Sequence, residues 1–355
     1  MVEVNPSEKI RIKDIAEQAG VSVGTVDRVL HGRPNVSKKA RIKVEGVLKQ
    51  IDYQPNMYAS ALASNKKYCF HCILPEHDQD AYWSQVEDGL KDAITKYNDF
   101  HLTLYITYYN QFRSESFAKA SQKVLQEKPD GIIIVPQDHN VTETFCAKLI
   151  KQDIPFIFLD SNIPEIKALT FYGQDPLKSG RFAARILMLA SQYCKDIVLI
   201  KFMKNNRIAS KQQEFREIGF RHYIQEHLPD CQIKELIIQL DGNRSYNEQL
   251  ERFFIDNPHI RNGITFSSLA YIPAEYLLRK NRRDFSLVGY DMIERNVECL
   301  QKGSISFLIA QHPWRQGYDC VKTMFNHVVL KQETPRDHYM PIELLSAENY
   351  IYYSK

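Results

Sequence analysis

Apolar residues near the start of the chain recur at helical spacing. Ile12, Ile15, Ala16 and Ala19 fall at i, i+3, i+4 and i+7, one face of a short helix that Gly20 ends. Ser22 is placed to cap a second helix whose inward stripe is Val26, Val29 and Leu30. Gly24, Arg28 and His31 lie opposite that stripe, and Asp27 falls on its shoulder. A third amphipathic helix begins at the cap Ser37 and carries Ala40, Val44, Val47, Leu48 and Ile51. Helix, tight turn, helix and supporting helix is the helix-turn-helix plan. A three-helix interaction module that never meets DNA shares this pattern.

From Tyr68 the pattern changes to short apolar runs alternating with amphipathic stretches, the signature of α/β units around parallel sheets. The predicted strands are "YCFHCIL", "LTLYIT", "GIIIVP", "PFIFLD", "DIVLIKF", "IKELIIQ", "GITFSS", "SLVGYD" and "SISFLIA", with helical stretches such as "YWSQVEDGLKDAITKY" and "SGRFAARILMLASQY" between them. No GxGxxG or GKS/T motif appears, so a nucleotide phosphate loop has no support. At 355 residues, two or three domains are expected.

Charge is unevenly placed. Residues 1–67 hold twelve Lys/Arg against seven Asp/Glu, and the remainder holds 34 against 36, a basic head on a near-neutral body. That balance suggests a polyanion-binding module joined to one that binds something else, although an ordinary solvated surface would look the same. The N-terminus lacks the apolar core of a secretory signal, and no apolar run approaches a membrane span, so a cytoplasmic protein is expected. Seven scattered cysteines read as reduced thiols. The pair Cys69 and Cys72 in "YCFHCILP" reads as a buried strand, since no further ligands follow at zinc spacing; no metal or cofactor is expected.

The segment "IKDIAEQAGVSVGTVDRVLHGRPNVSKKARIKVEGVLKQIDYQPNMYASALAS" closely resembles the DNA-binding head of the lactose-repressor/galactose-repressor family of bacterial transcription regulators. The resemblance implies a helix-turn-helix head over residues 1–54 and a hinge helix and linker over 55–67. Over 68–355 it implies an effector-binding and dimerisation domain of two doubly wound parallel-sheet lobes of the periplasmic-binding-protein type. The N-lobe would take about 68–171 and 310–338 and the C-lobe about 172–309 and 339–355, with crossings near Phe171, after the "LVGYD" strand and near "HYMPIEL". The implied DNA contacts come from Ser22, Val23, Gly24, Thr25, Asp27, Arg28 and His31. Leu62 is the implied minor-groove wedge, with Asn56 and Ala59 packed against the groove; a core leucine on a linker helix is the competing reading. At Asp27 the family commonly has Ser, near the phosphate backbone. A carboxylate there is expected to brace Arg28 for a guanine edge; accepting from a cytosine amino group, or standing exposed without a role, are the alternatives.

By the same resemblance, effector candidates cluster at strand ends: Tyr82, Trp83, Asp160, Gln174, Asp175, Arg216, Ser268, Asp291 and Gln311. An indole such as Trp83 suits the C–H face of a sugar, or simply covers a core. Asp160 and Asp291 offer several acceptor sites to paired hydroxyls. Arg216 in "FREIGF" can form bidentate contacts, or bridge the lobes by pairing with an acid. The sequence departs from the family where Ser268 and Leu269 replace an Asn-Asp pair and where Gly242 stands at the lactose repressor's tryptophan, so a galactoside is not assumed.

The expectation is therefore a non-enzymatic regulator, a repressor of the family type, binding a pseudo-palindromic double-stranded operator as a homodimer under control of a sugar or sugar derivative. Two other classes compete. A solute-binding protein would share the cleft without the basic head. A glycosidase would use Asp160 and Asp291 as paired carboxylates.

Overall fold

The computed structural model describes residues 11–30, 33–51, 57–79, 81–191, 195–205, 207–208, 210–334, 336 and 338–353, and the chain divides after Ser64 into two units. The first unit contains α1 (Ile12–Ala19), α2 (Val23–Leu30), α3 (Lys38–Gln50) and α4 (Met57–Ala63). Its core is the set of inward stripes, with Ile15, Ala16, Ala19, Val26, Val29 and Val44 buried together. Gly20 turns the chain between α1 and α2 at φ +60°, a conformation that costs little without a Cβ. The hydroxyls of Ser22 and Ser37 accept the N–H groups of Thr25 and Ala40, each at 3.2 Å, so both expected caps form.

The second unit starts with β1 (Tyr68–Pro75), α5 (Tyr82–Lys96), β2 (Leu102–Tyr109), α6 (Ser114–Gln126), β3 (Gly131–Ile134), α7 (His139–Lys151), β4 (Phe156–Leu159) and β5 (Thr170–Gly173). It continues with α8 (Pro176–Ala190), β6 (Asp196–Met203), α9 (Lys211–His227), β7 (Gln232–Gln239), α10 (Tyr246–Asp256), β8 (Asn262–Ile264), α11 (Tyr271–Arg279), β9 (Ser286–Tyr290), α12 (Glu294–Gln301) and β10 (Phe307–Ala310). Helix α13 (Pro313–Val328) and two short strands, β11 (His338–Tyr339) and β12 (Glu343–Leu345), follow.

These strands form two six-stranded sheets of the same plan, β2-β1-β3-β4-β5-β11 and β7-β6-β8-β9-β10-β12. Every pairing is parallel except β10 with β12. In each sheet the order reverses at the first strand, the doubly wound arrangement that leaves a crevice at the carboxyl ends of the strands. The chain passes between sheets at residues 174–175, 311–312 and 340–342.

The second passage follows β10 rather than the "LVGYD" strand. Leu308, Ile309 and Ala310 remain buried in the second sheet, and α13 then packs on the first. Three strands escaped the apolar pattern: β5, β11 and β12, four, two and three residues long, lie beside the passages.

On one sheet α5 packs against α13, and on the other α8 packs against α9. Glycines set both approaches. A Cβ at Gly89 or Gly317 would run into the carbonyls of Trp314 or Val86; one at Gly180 or Gly219 would meet those of Arg216 or Leu177. The backbone that carries Arg216 is thereby held directly against α8. Cys69 and Cys72 lie on β1, with Cys72 fully buried. Among the described residues no helix is long and apolar enough to cross a membrane.

Candidate functional site

Side chains from both lobes converge where the strands end. Asp160 follows β4 and Asp291 follows β9, the fourth strand of each sheet, and both adopt positive φ, +65° and +73°. A left-handed conformation is uncommon for a residue other than glycine, with aspartate and asparagine the usual exceptions. Asp160 accepts from the Tyr82 hydroxyl at 2.9 Å and from Ser161 Oγ at 3.0 Å. Gln316 Nε2 reaches the Tyr82 oxygen at 3.0 Å and the Gln311 carbonyl at 2.8 Å. Gln311 in turn donates to Asp291 Oδ1 at 2.6 Å and accepts from Arg216 Nη2. One hydrogen-bonded chain thus runs from Ser161 through both acids to Arg216.

Arg216 is 3% exposed, donates from Nη1 to the Phe266 carbonyl at 3.2 Å and lies 4.4 Å from the centre of the Tyr290 ring. Among the described residues it forms no direct ion pair, because Gln311 stands between it and Asp291, so the competing reading of a direct interlobe salt bridge does not hold. Burial pushes the Asp291 carboxyl up to about 7, against the opposing pull of Arg216 and the Gln311 N–H, and nearby Asp160 adds to the rise. Burial likewise raises Asp160, with Arg216, Tyr82 and Ser161 opposing it. Among the described residues eight buried side-chain atoms have no hydrogen-bond partner, and four of them belong to residues of the relay, the interlobe contacts or the cleft described next: Gln137 Oε1, Gln212 Oε1, Gln316 Oε1 and Arg216 Nε. Native proteins leave few such atoms, so each calls for an explanation.

A cleft of about 340 Å³, separate from the relay residues, is lined by Gln111, Gln137 and Asp138 from one lobe and Arg207, Ser210 and Lys211 from the other. The lobes are bonded directly to each other. Arg207 Nη1 donates to Ser114 Oγ at 2.6 Å and to Asp138 Oδ2 at 3.2 Å, Gln85 Nε2 donates to the Met292 carbonyl at 3.0 Å, and Gln212 Nε2 donates to the Asp160 carbonyl.

The remaining candidates divide by position. Trp83 is half-buried and meets Tyr82 edge-on at 4.9 Å. Gln174 is fully buried at the first passage, where Nε2 donates to the carbonyls of Ala310 and Pro341, each at 2.7 Å, so its amide ties the three passages together. Asp175 caps α8 by accepting the Lys178 N–H at 3.0 Å. Ser268 is half-buried, and its carbonyl accepts from Asn296 at 2.8 Å. The sequence reading missed Gln137, Arg207, Gln212 and Gln316. Gln212 was within reach, since it lies one turn before Arg216 on α9, and Gln316 lies as a polar residue on the buried face of the amphipathic α13; Gln137 and Arg207 sit in connecting segments without a periodic signal.

In the head, α2 presents Val23, Gly24 and Arg28 outward, with Val23 49% exposed. Ser22 and Thr25 bond each other at 2.9 Å. Asp27 pairs with Arg33 Nη1 at 3.2 Å, and among the described residues no hydrogen bond or ion pair joins it to Arg28. The expected brace is therefore built on a different arginine: from the helix shoulder the carboxylate reaches the turn after α2, whereas Arg28 projects outward. His31 and Asn56 lie outside the described residues. Ala59 and Leu62 are exposed on α4, Leu62 by 44%, which removes the core-leucine reading within this unit.

A helix-turn-helix unit followed by a two-lobed α/β unit with a polar cleft at its strand ends defines a transcription regulator carrying a binding-protein domain. Residues 11–56 match the family described as bacterial regulatory proteins, lacI family, and residues 71–332 match the periplasmic binding protein domain. The chain belongs to the LacI family of transcriptional regulators, with a periplasmic-binding-protein-like domain after its DNA-binding head.

A crystal structure from Bacteroides fragilis assigned to the LacI transcriptional regulators is 44% identical, covers 81% of this chain and 100% of its own, and superposes with a TM-score of 0.79. Catabolite control protein A of Staphylococcus epidermidis is 27% identical over 69% of each chain. GanP, a glucose-galactose binding protein from Geobacillus stearothermophilus, shares the fold at 21% identity and a TM-score of 0.68, over 81% of this chain and 99% of its own.

Proposed function

We propose that this regulator is a cytoplasmic repressor that binds a pseudo-palindromic operator as a homodimer and is controlled by a sugar or sugar derivative held between residues 68–171 with 310–338 and residues 172–309 with 339–355. The observation that carries this reading is the buried relay from Asp160 to Arg216 that joins the two lobes at their strand ends; a separate interlobe cleft of about 340 Å³, lined by Gln137, Asp138 and Arg207, falls within the ~300–1,000 Å³ range of small-molecule sites. Fold relatives named for glucose and galactose, and a solute-binding protein solved with D-arabinose, support a sugar as the ligand class.

On this reading α2 enters the major groove with Val23, Gly24 and Arg28 outward, and Leu62 wedges a base step in the minor groove. A ligand that bonds both lobes favours the closed cleft and, through it, one arrangement of the two heads; only this difference in affinity between arrangements can shift DNA binding.

The test is fluorescence anisotropy of the full chain on duplexes from its own upstream region, with and without a panel of sugars. Tight binding that weakens steeply with salt and moves with one ligand supports the proposal. Ligand binding with no affinity for any duplex returns the solute-binding reading.

A further inference from the structure

The pair between Asp27 and Arg33 stands at the end of the face that α2 presents outward. Asp27 lies four residues after Val23 and three after Gly24, so on a helix it continues the exposed patch those two begin. A recognition helix lies in the major groove with its first residues on the base edges, which leaves its last turn and the segment after it beside the phosphates of the groove wall. A bare carboxylate there would face one phosphate charge per ~1.7 Å of duplex. The chain supplies the counter-charge itself, since Asp27 Oδ2 accepts from Arg33 Nη1 at 3.2 Å.

Arg33 is held at two points. Its backbone N–H donates to the Arg28 carbonyl at 2.8 Å, the kind of bond that closes a helix, and its side chain meets Asp27. The side chain is nevertheless 61% exposed, and among the described residues Nε and Nη2 have no partner. Those two atoms form one edge of the planar fork, an edge that takes two oxygens of a single phosphate. A cation also suits the negative C-terminal end of α2.

We infer that Arg33 contacts a DNA phosphate beside the end of α2 and that Asp27 is the positioning residue that holds its fork ready. This rests on the head binding duplex DNA through α2, as proposed above. Without Asp27, a long and mobile side chain has to be ordered at the moment of binding. Without Arg33, Asp27 repels the backbone it now helps to hold. The contact carries no base preference, because a phosphate is the same at every step.

The experiment is fluorescence anisotropy of the full chain on its upstream duplex and on a duplex of unrelated sequence, in KCl from ~50 to ~200 mM. Arg33→Ala should weaken both duplexes by a similar factor, several-fold or more, and make the fall of log affinity with log salt shallower by about one. Removing an acid ordinarily tightens binding to a polyanion; here Asp27→Ser should weaken it about two- to fivefold. In the Arg33→Ala background the same change should tighten it. Asp27→Asn keeps an oxygen for Nη1 and should bind at least as tightly as the unaltered chain.

The inference is overturned by an unchanged salt dependence in Arg33→Ala, by Asp27→Ser binding as tightly as the unaltered chain or more so, or by Asp27→Ser having the same effect with and without Arg33. Any of these, with the unaltered chain still binding its upstream duplex, removes the phosphate clamp and leaves the regulator reading standing. An unaltered chain that binds no duplex removes both.

Discussion

Replacing Asp291 with Asn should stabilise the larger unit, and by more at high pH than at low. In the folded chain this acid titrates at about 7 instead of its ordinary 3.8, chiefly because burial penalises its charge. The folded state therefore holds the proton more tightly than the unfolded chain. The acid's contribution is most favourable below pH 3.8, declines as pH rises towards 7 and levels off above it. At about 1.36 kcal/mol per pH unit, the full cost of forcing the carboxylate to ionise in place is about 4 kcal/mol, and the part incurred between pH 5.5 and 8 is about 2 kcal/mol.

Asparagine keeps an oxygen for the Gln311 N–H and has no charge to bury, so the advantage of Asp291→Asn should grow by roughly 2 kcal/mol over that interval. Urea unfolding at the two pH values would measure it, followed by tryptophan fluorescence. Both tryptophans, Trp83 and Trp314, lie in the larger unit, so the signal reports on the part that carries the substitution. An advantage that is equal at the two pH values, or larger at the lower one, would mean that Asp291 titrates near its ordinary value, and the description of the relay would fail.

Gly180→Ala should push α9 off α8 through the Arg216 carbonyl, costing about 1–3 kcal/mol and weakening ligand binding; an unchanged urea midpoint would rule out the close approach. Arg207→Ala removes the bonds to Ser114 and Asp138. Because that pair is about half exposed, stability should change by less than ~1 kcal/mol, while ligand dissociation in stopped flow should quicken several-fold. Leu62→Ala should lower operator affinity about tenfold or more and leave calorimetric ligand affinity unchanged, and equal operator affinity would exclude the wedge.

Periodicity made the head legible down to its caps, because a short helix must bury one stripe and Ser22 and Ser37 announce where each begins. The nine strands with full apolar runs were equally visible. What the sequence hid was set by distance along the chain. Arg216 and Asp291 were singled out separately, but the residue joining them, Gln311, lies 95 positions from one and 20 from the other, and no local pattern states that they meet. Asp27 invited pairing with the adjacent Arg28, yet neighbours on a helix point about 100° apart, and the carboxylate meets Arg33 instead. Gln174 and Asp175 looked alike as polar residues at a strand end, but one ties the passages and the other caps a helix.

The amide of Gln174 makes the three passages behave as a single axle. Three independent linkers would let the lobes twist, slide and close separately; laced to the carbonyls of Ala310 and Pro341, they leave one way to move. Any molecule able to hold the cleft shut would then produce the same displacement, whatever its outline. If ligand is held as proposed, recognition and response become separately heritable: substitutions around Trp83, Ser268 or Arg207 alter which compound is held without rewriting the message, so long as the axle is kept.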